Sequence, residues 1–185
     1  MANFMREAIR QSFLKLLNVK PFSKITVKDV TDDCGISRNS FYYHFQDLPS
    51  LLEEIVREET DAIMARYPNV DTLEECLTVA SEFVLANKKA AYHIYRSVNR
   101  DMFEQYLWKV CAHAVQTFLR PLFSSYGVSQ SDRRIIERYY RCTVFGQISD
   151  WLANDMREDL AADGLRLCVL KKGMLEELLR RSAAT

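Results

Sequence analysis

The sequence predicts an all-α protein of about nine helices. Only five glycines and four prolines occur in 185 residues, whereas an all-β chain needs many of these residues for its tight turns. Apolar residues recur at intervals of three and four along almost the whole chain, as one face of an amphipathic helix requires. Hydrophobic residues make up 48% and charged residues 27%, a balance that favours a packed core over global disorder.

The N-terminal residues are predicted to form three helices. The apolar stripe of the first helix ends near Pro21 and comprises Ile9, Phe13, Leu16 and Leu17. Thr26 is a suitable N-cap for a short second helix, which Gly35 ends because glycine accepts a positive φ. Ser37 is a suitable N-cap for a third helix over residues 38–44. A tight turn over residues 34–37 therefore joins two short helices, as in a helix-turn-helix.

Six longer segments follow with helical periodicity. In chain order they span residues 49–68, 73–84, 90–98, 101–121, 132–152 and 165–181. Pro68 and Pro121 are expected to end the first and the fourth of these helices, and a polar loop ending at Gly164 precedes the last. We therefore expect a helix-turn-helix head (1–48), a connecting helix (49–68) and a helical body (69–185).

Net charge limits how a nucleic acid could be bound. The 25 basic and 25 acidic residues cancel, so any such role must depend on local charge. Residues 1–48 hold seven basic and five acidic side chains, which leaves a weak excess of two positive charges. The basic residues are Arg6, Arg10, Lys15, Lys20, Lys24, Lys28 and Arg38.

Five cysteines are spread along the chain without a close pair, which fits neither a disulfide framework nor a metal knuckle. We therefore predict a reduced, cytosolic protein. No long apolar segment begins the chain and no apolar run approaches about 18 residues, so neither secretion nor a membrane span is expected. Cys34 follows two acidic residues, which disfavours a thiolate at that position.

The predicted third helix has a polar face suited to DNA. Its apolar side chains, with Val27, Val30 and Ile36, are expected to form a small core that leaves the polar ones exposed. Arg38 can donate two hydrogen bonds to guanine or bridge phosphates, and Asn39 can pair with adenine. Serine and tyrosine hydroxyls can donate to phosphate oxygens. A packed helical corner without a DNA role is the alternative interpretation.

The head resembles the TetR family of transcriptional regulators. The resemblance rests on Ile25-Thr26-Val27, Gly35-Ile36-Ser37, the run from Ser40 to Phe45 that includes Phe-Tyr-Tyr-His-Phe, and Leu51-Leu52. It implies a homodimer whose third helices enter the major groove of a palindromic double-stranded DNA operator. The residues at family DNA-contact positions are Thr26, Ser37, Arg38, Asn39, Ser40, Tyr42, Tyr43 and His44. This chain departs from the family pattern with Leu48 for a lysine, Thr31 for an alanine and Asn39 for a glycine.

A regulator of this build senses a signal through its body, so we expect an unknown small-molecule effector there. The candidate pocket residues are Tyr92, His93, Tyr95, Arg96, Tyr106, His113 and Tyr139. Tyrosines and histidines in helical cores also serve simply to satisfy buried hydrogen bonds, and that interpretation stays open.

The last two predicted helices are candidates for a homodimer interface. The first of them is apolar on more than one face, as in a helix that is buried on two sides. The candidate interface residues are Phe145, Ile148, Trp151, Leu152, Leu170, Met174 and Leu178. Two such helices from each subunit would form a four-helix interface with twofold symmetry. Burial inside the body's own core is the alternative.

These observations predict a ligand-responsive repressor. An activator or co-activator that acts mainly through protein contacts is the second hypothesis, because the basic excess is weak and Leu48 replaces a lysine; relatives of this kind serve dihydroxyacetone kinase operons. No P-loop, dinucleotide-binding glycine motif, nucleophile elbow or zinc-binding histidine pair occurs. We therefore predict no enzyme, no cofactor and no metal.

Overall fold

A computed structural model describes residues 2–183, which form ten α-helices and contain no strand. The predicted all-α class is confirmed. In chain order the helices are α1 (Ala2–Leu17), α2 (Val27–Cys34), α3 (Arg38–His44), α4 (Leu48–Arg66), α5 (Leu73–Leu85), α6 (Lys88–Tyr95), α7 (Arg100–Tyr126), α8 (Gln130–Ala153), α9 (Leu160–Leu170) and α10 (Met174–Ala183). A 3-10 turn (Phe22–Lys24) lies between α1 and α2. No helix among residues 2–183 has the length and apolarity needed to cross a bilayer.

The two short helices of the head begin and end where their capping residues predict. Thr26 and Asp29 form a capping box at the start of α2: the Asp29 amide donates to the Thr26 hydroxyl (3.2 Å) and the Thr26 amide to the Asp29 carboxylate (2.7 Å). Gly35 ends α2 with a φ of 70°, a conformation that costs a side-chain-bearing residue more than glycine. Ser37 caps α3 by accepting a hydrogen bond from the Ser40 amide (3.1 Å).

The head packs around a small aromatic and aliphatic core. Its buried members are Ile9, Phe13, Leu17, Phe22, Val30, Phe41 and Phe45. Phe13 and Phe22 meet edge to face with centroids 6.0 Å apart, and the Ser12 hydroxyl donates to the backbone oxygen of Val30 (3.2 Å). Ile36, expected in this core, is only half-buried, because it lies in the turn after Gly35 rather than on a helix face.

Three predictions for the helices of the C-terminal half are wrong. Pro121 lies inside α7, which continues to Tyr126; burial of Phe123 on this last turn offsets the hydrogen bond that proline cannot donate. Gly164 lies within α9 instead of ending a loop. A Cβ at Gly164 would stand 3.0 Å from Leu77 Cδ1, so the glycine lets α9 pack closely on α5. The predicted last helix is in fact two, separated at Gly173, whose φ is 83°.

The chain forms two compact units. The first comprises the residues up to Asp61 together with Val84–Tyr106, and the second comprises Ala62–Phe83 and the residues from Leu107 onward. The first unit thus contains the predicted head, most of α4 and all of α6. The second contains most of α5 and α7 with α8, α9 and α10.

The capping box of α2 predicts a pH-dependent stability. Hydrogen bonds from the Thr26 hydroxyl and amide, and then one from Lys20, lower the pKa of Asp29 from 3.8 to about 2. Because the folded-state pKa is the lower one, the ionised cap stabilises the fold above about pH 4, and this contribution is lost as the pH falls towards 2.

We therefore expect Asp29→Asn to lower the free energy of unfolding at pH 7 and to have a shrinking effect as the pH falls to 3, measured by urea unfolding. Asp32→Asn, an exposed carboxylate of the same helix, serves as the control. A difference that stays constant with pH would contradict the proposed cap.

Candidate nucleic-acid interface

Helix α3 divides its aromatic residues between the core and the surface. Phe41 is fully buried and the next residue in the core is Phe45, whereas the side chains of Tyr42 and Tyr43 are 56% and 82% exposed. Phe41 and Tyr42 meet edge to face at 5.5 Å. The buried pair therefore anchors the helix, and the intervening tyrosines are left for an external partner.

The polar residues predicted to bind DNA lie at the surface of the head. Arg38 and Asn39 are exposed at the start of α3, and His44 is half-buried at its end. The His44 ring meets the Tyr43 ring edge to face at 5.1 Å. Arg38 and Asn39 make no side-chain hydrogen bond or ion pair to any residue that the structure describes, so both can bond to base edges or phosphates.

Three of the predicted DNA-contact hydroxyls already have partners inside the head. The Ser37 and Ser40 hydroxyls lie 2.9 Å apart, and Ser37 also caps α3. The Thr26 hydroxyl accepts from the Asp29 amide and donates to its carboxylate (2.7 Å). These three residues therefore shape the helix starts first, and a phosphate contact would have to share or replace these bonds.

Most of the basic residues of the head are paired with carboxylates. Within the described chain the pairs are Arg6–Glu54, Arg10–Glu58, Lys15–Asp33 and Lys20–Asp29. The remaining three, Lys24, Lys28 and Arg38, are exposed and form no ion pair with a described residue. The charge available to a phosphate backbone thus comes from three residues rather than seven.

Lys24 and Lys28 were not predicted as DNA contacts from the sequence. Lys24 closes the 3-10 turn just before Thr26, and Lys28 lies in the first turn of α2. A count of charges gave no reason to choose them, because the pairing of the other cations becomes visible only in the folded head. Leu48, which stands at the position of a family lysine, is buried at the start of α4 and only 8% exposed.

Two of the predicted pocket residues in the first unit bond to neighbouring helices. His93 Nδ1 donates to the backbone oxygen of Leu17 (2.7 Å), which satisfies a carbonyl at the end of α1. The Tyr106 hydroxyl donates to Glu53 (3.3 Å), and burial foremost raises the pKa of this tyrosine. Both contacts match the alternative interpretation, in which these side chains satisfy buried polar groups.

The other three predicted pocket residues in the first unit, Tyr92, Tyr95 and Arg96, take part in contacts between an arginine and a tyrosine ring. The Arg100 guanidinium lies 4.3 Å from the centroid of the buried Tyr95 ring. The exposed Arg96 lies 5.0 Å from the centroid of Tyr92. These are cation–π contacts, which add stability at a helix end without requiring a ligand.

The two predicted pocket residues in the second unit differ in their surroundings. His113 Nε2 bonds to the backbone oxygen of Tyr67 (2.8 Å), whereas Tyr139 is 56% exposed on α8. One pocket of this unit has a volume of about 330 Å³ and is lined by residues of α5, α7, α8, α9 and α10 together with the segments before α5 and between α9 and α10. None of the seven predicted pocket residues lines it, although Tyr140, next to Tyr139, does.

The predicted dimer residues fall into two groups. Ile148, Trp151 and Leu152 on α8 are buried within the unit itself, with exposures of 0%, 6% and 0%, so the alternative of an internal core applies to them. Phe145 is half-buried against the Trp108 ring at 5.2 Å. Leu170, Met174 and Leu178 are exposed, and so are their apolar neighbours Leu165 and Val169.

None of the shifted cysteine pKa values favours a reactive thiolate. Burial is the leading cause that raises the pKa of Cys34, of Cys76 and Cys111 to about 12, and of Cys168 to about 11. A charge on Asp33 adds to the effect at Cys34, as the sequence suggested.

Comparison with known families decides the identity of this fold. A model described as bacterial regulatory proteins of the tetR family matches residues 12–55, which span the helix-turn-helix. A second model, described as a transcriptional regulator C-terminal region of TetR type, matches residues 71–162. The chain belongs to the TetR family of transcriptional regulators. TetR-family proteins are DNA-binding regulators, and this membership confirms the prediction that the chain is not an enzyme.

Two curated relatives carry the same kind of name. Over 74 residues the chain is 31% identical to the HTH-type transcriptional repressor KstR2 of Mycolicibacterium smegmatis, a match that covers 40% of this chain and 36% of the relative. Over 149 residues it is 28% identical to the HTH-type transcriptional regulator YxbF of Bacillus subtilis, covering 77% of this chain and 37% of the relative. The matches span little more than a third of each relative's own length.

Two solved structures share the fold over almost the whole chain. The dihydroxyacetone kinase operon activator DhaS superposes with a TM-score of 0.70 at 16% identity, covering 96% of both chains. The fatty acid degradation regulator FadR from Bacillus halodurans superposes with a TM-score of 0.59 at 15% identity, covering 95% of this chain and 94% of that one. At these identities the likeness establishes the TetR-like fold alone.

Proposed function

We propose that this TetR-family chain is a one-component repressor that binds a palindromic operator as a homodimer and releases it when a small molecule binds the body. The observation that carries the proposal is the exposed face of α3, where Arg38, Asn39 and Tyr43 have no competing hydrogen-bond partner in the described chain. Phe41 and Phe45 fix this face by packing beneath it.

The head would use different residues to position itself and to read sequence. Arg38 and Asn39 lie at the start of α3, where a recognition helix meets base edges in the major groove. Lys24 and Lys28 lie just before and within α2, which in this motif crosses the phosphate backbone. The exposed Tyr42 and Tyr43 hydroxyls add donors to phosphate oxygens.

The proposed dimer surface consists of the exposed apolar residues of α9 and α10 with the outer face of α8. The α9 and α10 members are Leu165, Val169, Leu170, Met174 and Leu178. On α8, Ile135 and Tyr139 are exposed, and a Cβ at Gly146 would meet no atom within 4 Å. Exposed apolar side chains on three successive helices favour an interaction surface, and twofold pairing would cover both copies at once.

We expect Leu170→Glu or Met174→Glu to convert the dimer to a monomer, because a carboxylate buried at the centre of the interface lacks a partner. Sedimentation velocity measures the change. Val98→Glu, a substitution at an apolar residue that is 94% exposed on the first unit, is the matched control. An intact dimer in both Leu170→Glu and Met174→Glu would place the interface elsewhere.

Repression and its release follow from the spacing of the two heads. A dimer reads two half-sites only when its recognition helices stand about one or more helical turns apart. A ligand can change DNA affinity only by binding one spacing better than another. The relative KstR2, a transcriptional repressor, supports this direction of control.

Selection from a pool of random duplexes tests the operator directly. The purified protein is expected to enrich a palindrome whose half-sites are separated by a whole number of helical turns. Enrichment of a single, non-repeated half-site would remove the homodimer from the proposal. Absence of any enriched sequence would contradict DNA reading altogether.

An activator or co-activator is the second candidate. It is favoured by the pairing of four of the seven head cations, by the burial of Leu48, and by the likeness to a structure described as an operon activator. A chain of this kind would bind every duplex weakly and equally while retaining a specific protein partner in a pull-down.

We also propose a cytosolic location. Five free cysteines, two of them buried, fit a reducing compartment in which disulfides do not persist.

A further inference from the structure

The second unit contains a pocket of about 330 Å³, within the range of small-molecule sites. Its apolar wall is formed by residues of α5, α7 and α10, namely Leu73, Phe118, Leu122, Leu175 and Leu179. The lining also contains polar side chains, among them Tyr140 of α8, Cys168 of α9 and Lys171, and the Lys171 ammonium lies over the Tyr140 ring. An apolar wall with a few polar groups together is the arrangement expected of a ligand site.

Tyr140 lines the pocket, and its hydroxyl forms no hydrogen bond with a residue that the structure describes. It is 4% exposed, and its contacts within the described chain are with the Tyr139 ring and the Lys171 ammonium. Burial, with smaller contributions from Tyr139 and Glu176, raises the pKa of its hydroxyl to about 12. The hydroxyl therefore keeps its proton and can donate a hydrogen bond to an oxygen that enters the pocket.

Lys171 supplies a positive charge beside the hydroxyl. Its ammonium lies 5.4 Å from the centroid of the Tyr140 ring and 5.8 Å from that of Tyr139. It is half-buried and forms no salt bridge with a residue that the structure describes. An ammonium and a phenolic hydroxyl beside an apolar wall are complementary to a carboxylate on a hydrocarbon body.

The pocket lining also contains three acidic side chains, and one of them is already engaged by a neighbouring thiol. The Glu74 carboxylate accepts a hydrogen bond from the Cys168 thiol, which together with burial raises the pKa of that thiol to about 11. Asp71 and Glu176 are exposed at the rim. The Tyr140 ring face, where an amine would bind by a cation–π contact, is already occupied by the Lys171 ammonium.

We propose that this pocket binds a small amphipathic carboxylate, whose head group meets Lys171 and Tyr140 and whose hydrocarbon body packs against the α5, α7 and α10 wall. Its role as an effector site rests on the proposed function. Helix α10 would link the two surfaces, because Leu175 and Leu179 line the pocket whereas Met174 and Leu178 lie on the proposed dimer surface. A ligand would therefore act next to the contact that sets the spacing of the heads.

Calorimetric titration with three probes of equal chain length tests the head-group preference. Octanoate, octylamine and octanol are titrated into the full-length protein. Octanoate is expected to bind at least about tenfold more tightly than octylamine, since one charge-assisted hydrogen bond contributes roughly 1.4 kcal/mol or more. Equal or tighter binding of octylamine, or no binding of any probe, would overturn the proposal.

Two variants of the pocket test which residues bind the carboxylate. Lys171→Gln is expected to weaken octanoate about tenfold while leaving octanol unchanged, and Tyr140→Phe to weaken octanoate severalfold with the ring still in place. Lys88→Gln, the same charge change at an exposed residue outside the lining, is the control. Thermal melts of each variant verify folding. Unchanged octanoate affinity in both pocket variants would overturn the assignment.

The effector role is tested separately by operator affinity with and without octanoate. Octanoate binding that depends on Lys171 and leaves DNA affinity unaltered would support the site while contradicting its regulatory use. A loss of DNA affinity that also disappears in Lys171→Gln would support both.

Discussion

Phe41→Ala is expected to lower the free energy of unfolding by about 3–5 kcal/mol, because it removes a whole ring from the core of the head. Phe41 is fully buried and holds α3 against the core with Phe45. Loss of its ring would leave a cavity directly beneath the surface proposed to read DNA. Urea unfolding followed by circular dichroism measures the change.

Tyr43→Ala is the matched control for Phe41→Ala. Its ring is 82% exposed, and its recorded ring contact is with His44, so its removal is expected to change stability by less than about 1 kcal/mol. The two variants should nevertheless both weaken operator binding, one by loosening the helix and the other by removing a surface contact. Equal stability of the two would contradict the division of α3 into a buried and an exposed face.

Arg38→Ala is expected to weaken binding to the selected operator by about 1–3 kcal/mol, roughly 5- to 150-fold. Arg38 is exposed at the start of α3 and has no ion-pair partner in the described chain, so its guanidinium is available for a bidentate contact to guanine. Fluorescence anisotropy with the operator and an unrelated duplex measures the effect. A base contact predicts that specificity falls along with affinity.

Lys28→Ala provides the contrast, since loss of a phosphate contact weakens binding to both duplexes alike and reduces the salt slope of the dimer by about two, one for each head. Arg157→Ala, at an exposed arginine paired with Asp155 between α8 and α9, controls for the loss of charge alone. Unchanged affinity in Arg38→Ala would remove this residue from the reading surface.

The head could be predicted from sequence because its signals are local. Thr26, Gly35 and Ser37 act on backbone groups within a few residues, so their identity alone fixes where α2 and α3 begin and end. The alternation of buried Phe41 and exposed Tyr43 follows from helical periodicity in the same way.

The helix boundaries of the C-terminal half could not be predicted as well, because they depend on packing between residues that are far apart in the sequence. Pro121 would end an isolated helix, but the burial of Phe123 extends α7 beyond it. Ile148 and Trp151 form an apolar stripe that sequence cannot assign to the unit's own core or to a second subunit.

The candidate pocket depends on contacts between distant segments. Tyr140 and Lys171 are 31 positions apart, and nothing in the sequence around either residue indicates that they lie close together. The number of unpaired cations on the DNA-binding face could not be predicted either, because only the folded head shows that Lys15 and Lys20 are paired with Asp33 and Asp29.

The salt dependence of operator binding tests the central claim of a dimeric DNA-reading regulator most directly. Two phosphate-contacting lysines in each head, Lys24 and Lys28, and one phosphate per lysine predict a slope of log K against log salt of about −4 for the dimer, with tight binding to the selected palindrome and weak binding to an unrelated duplex. Anisotropy titrations across a salt series give both quantities. Equal, weak binding to the two duplexes with a slope near zero would contradict the claim.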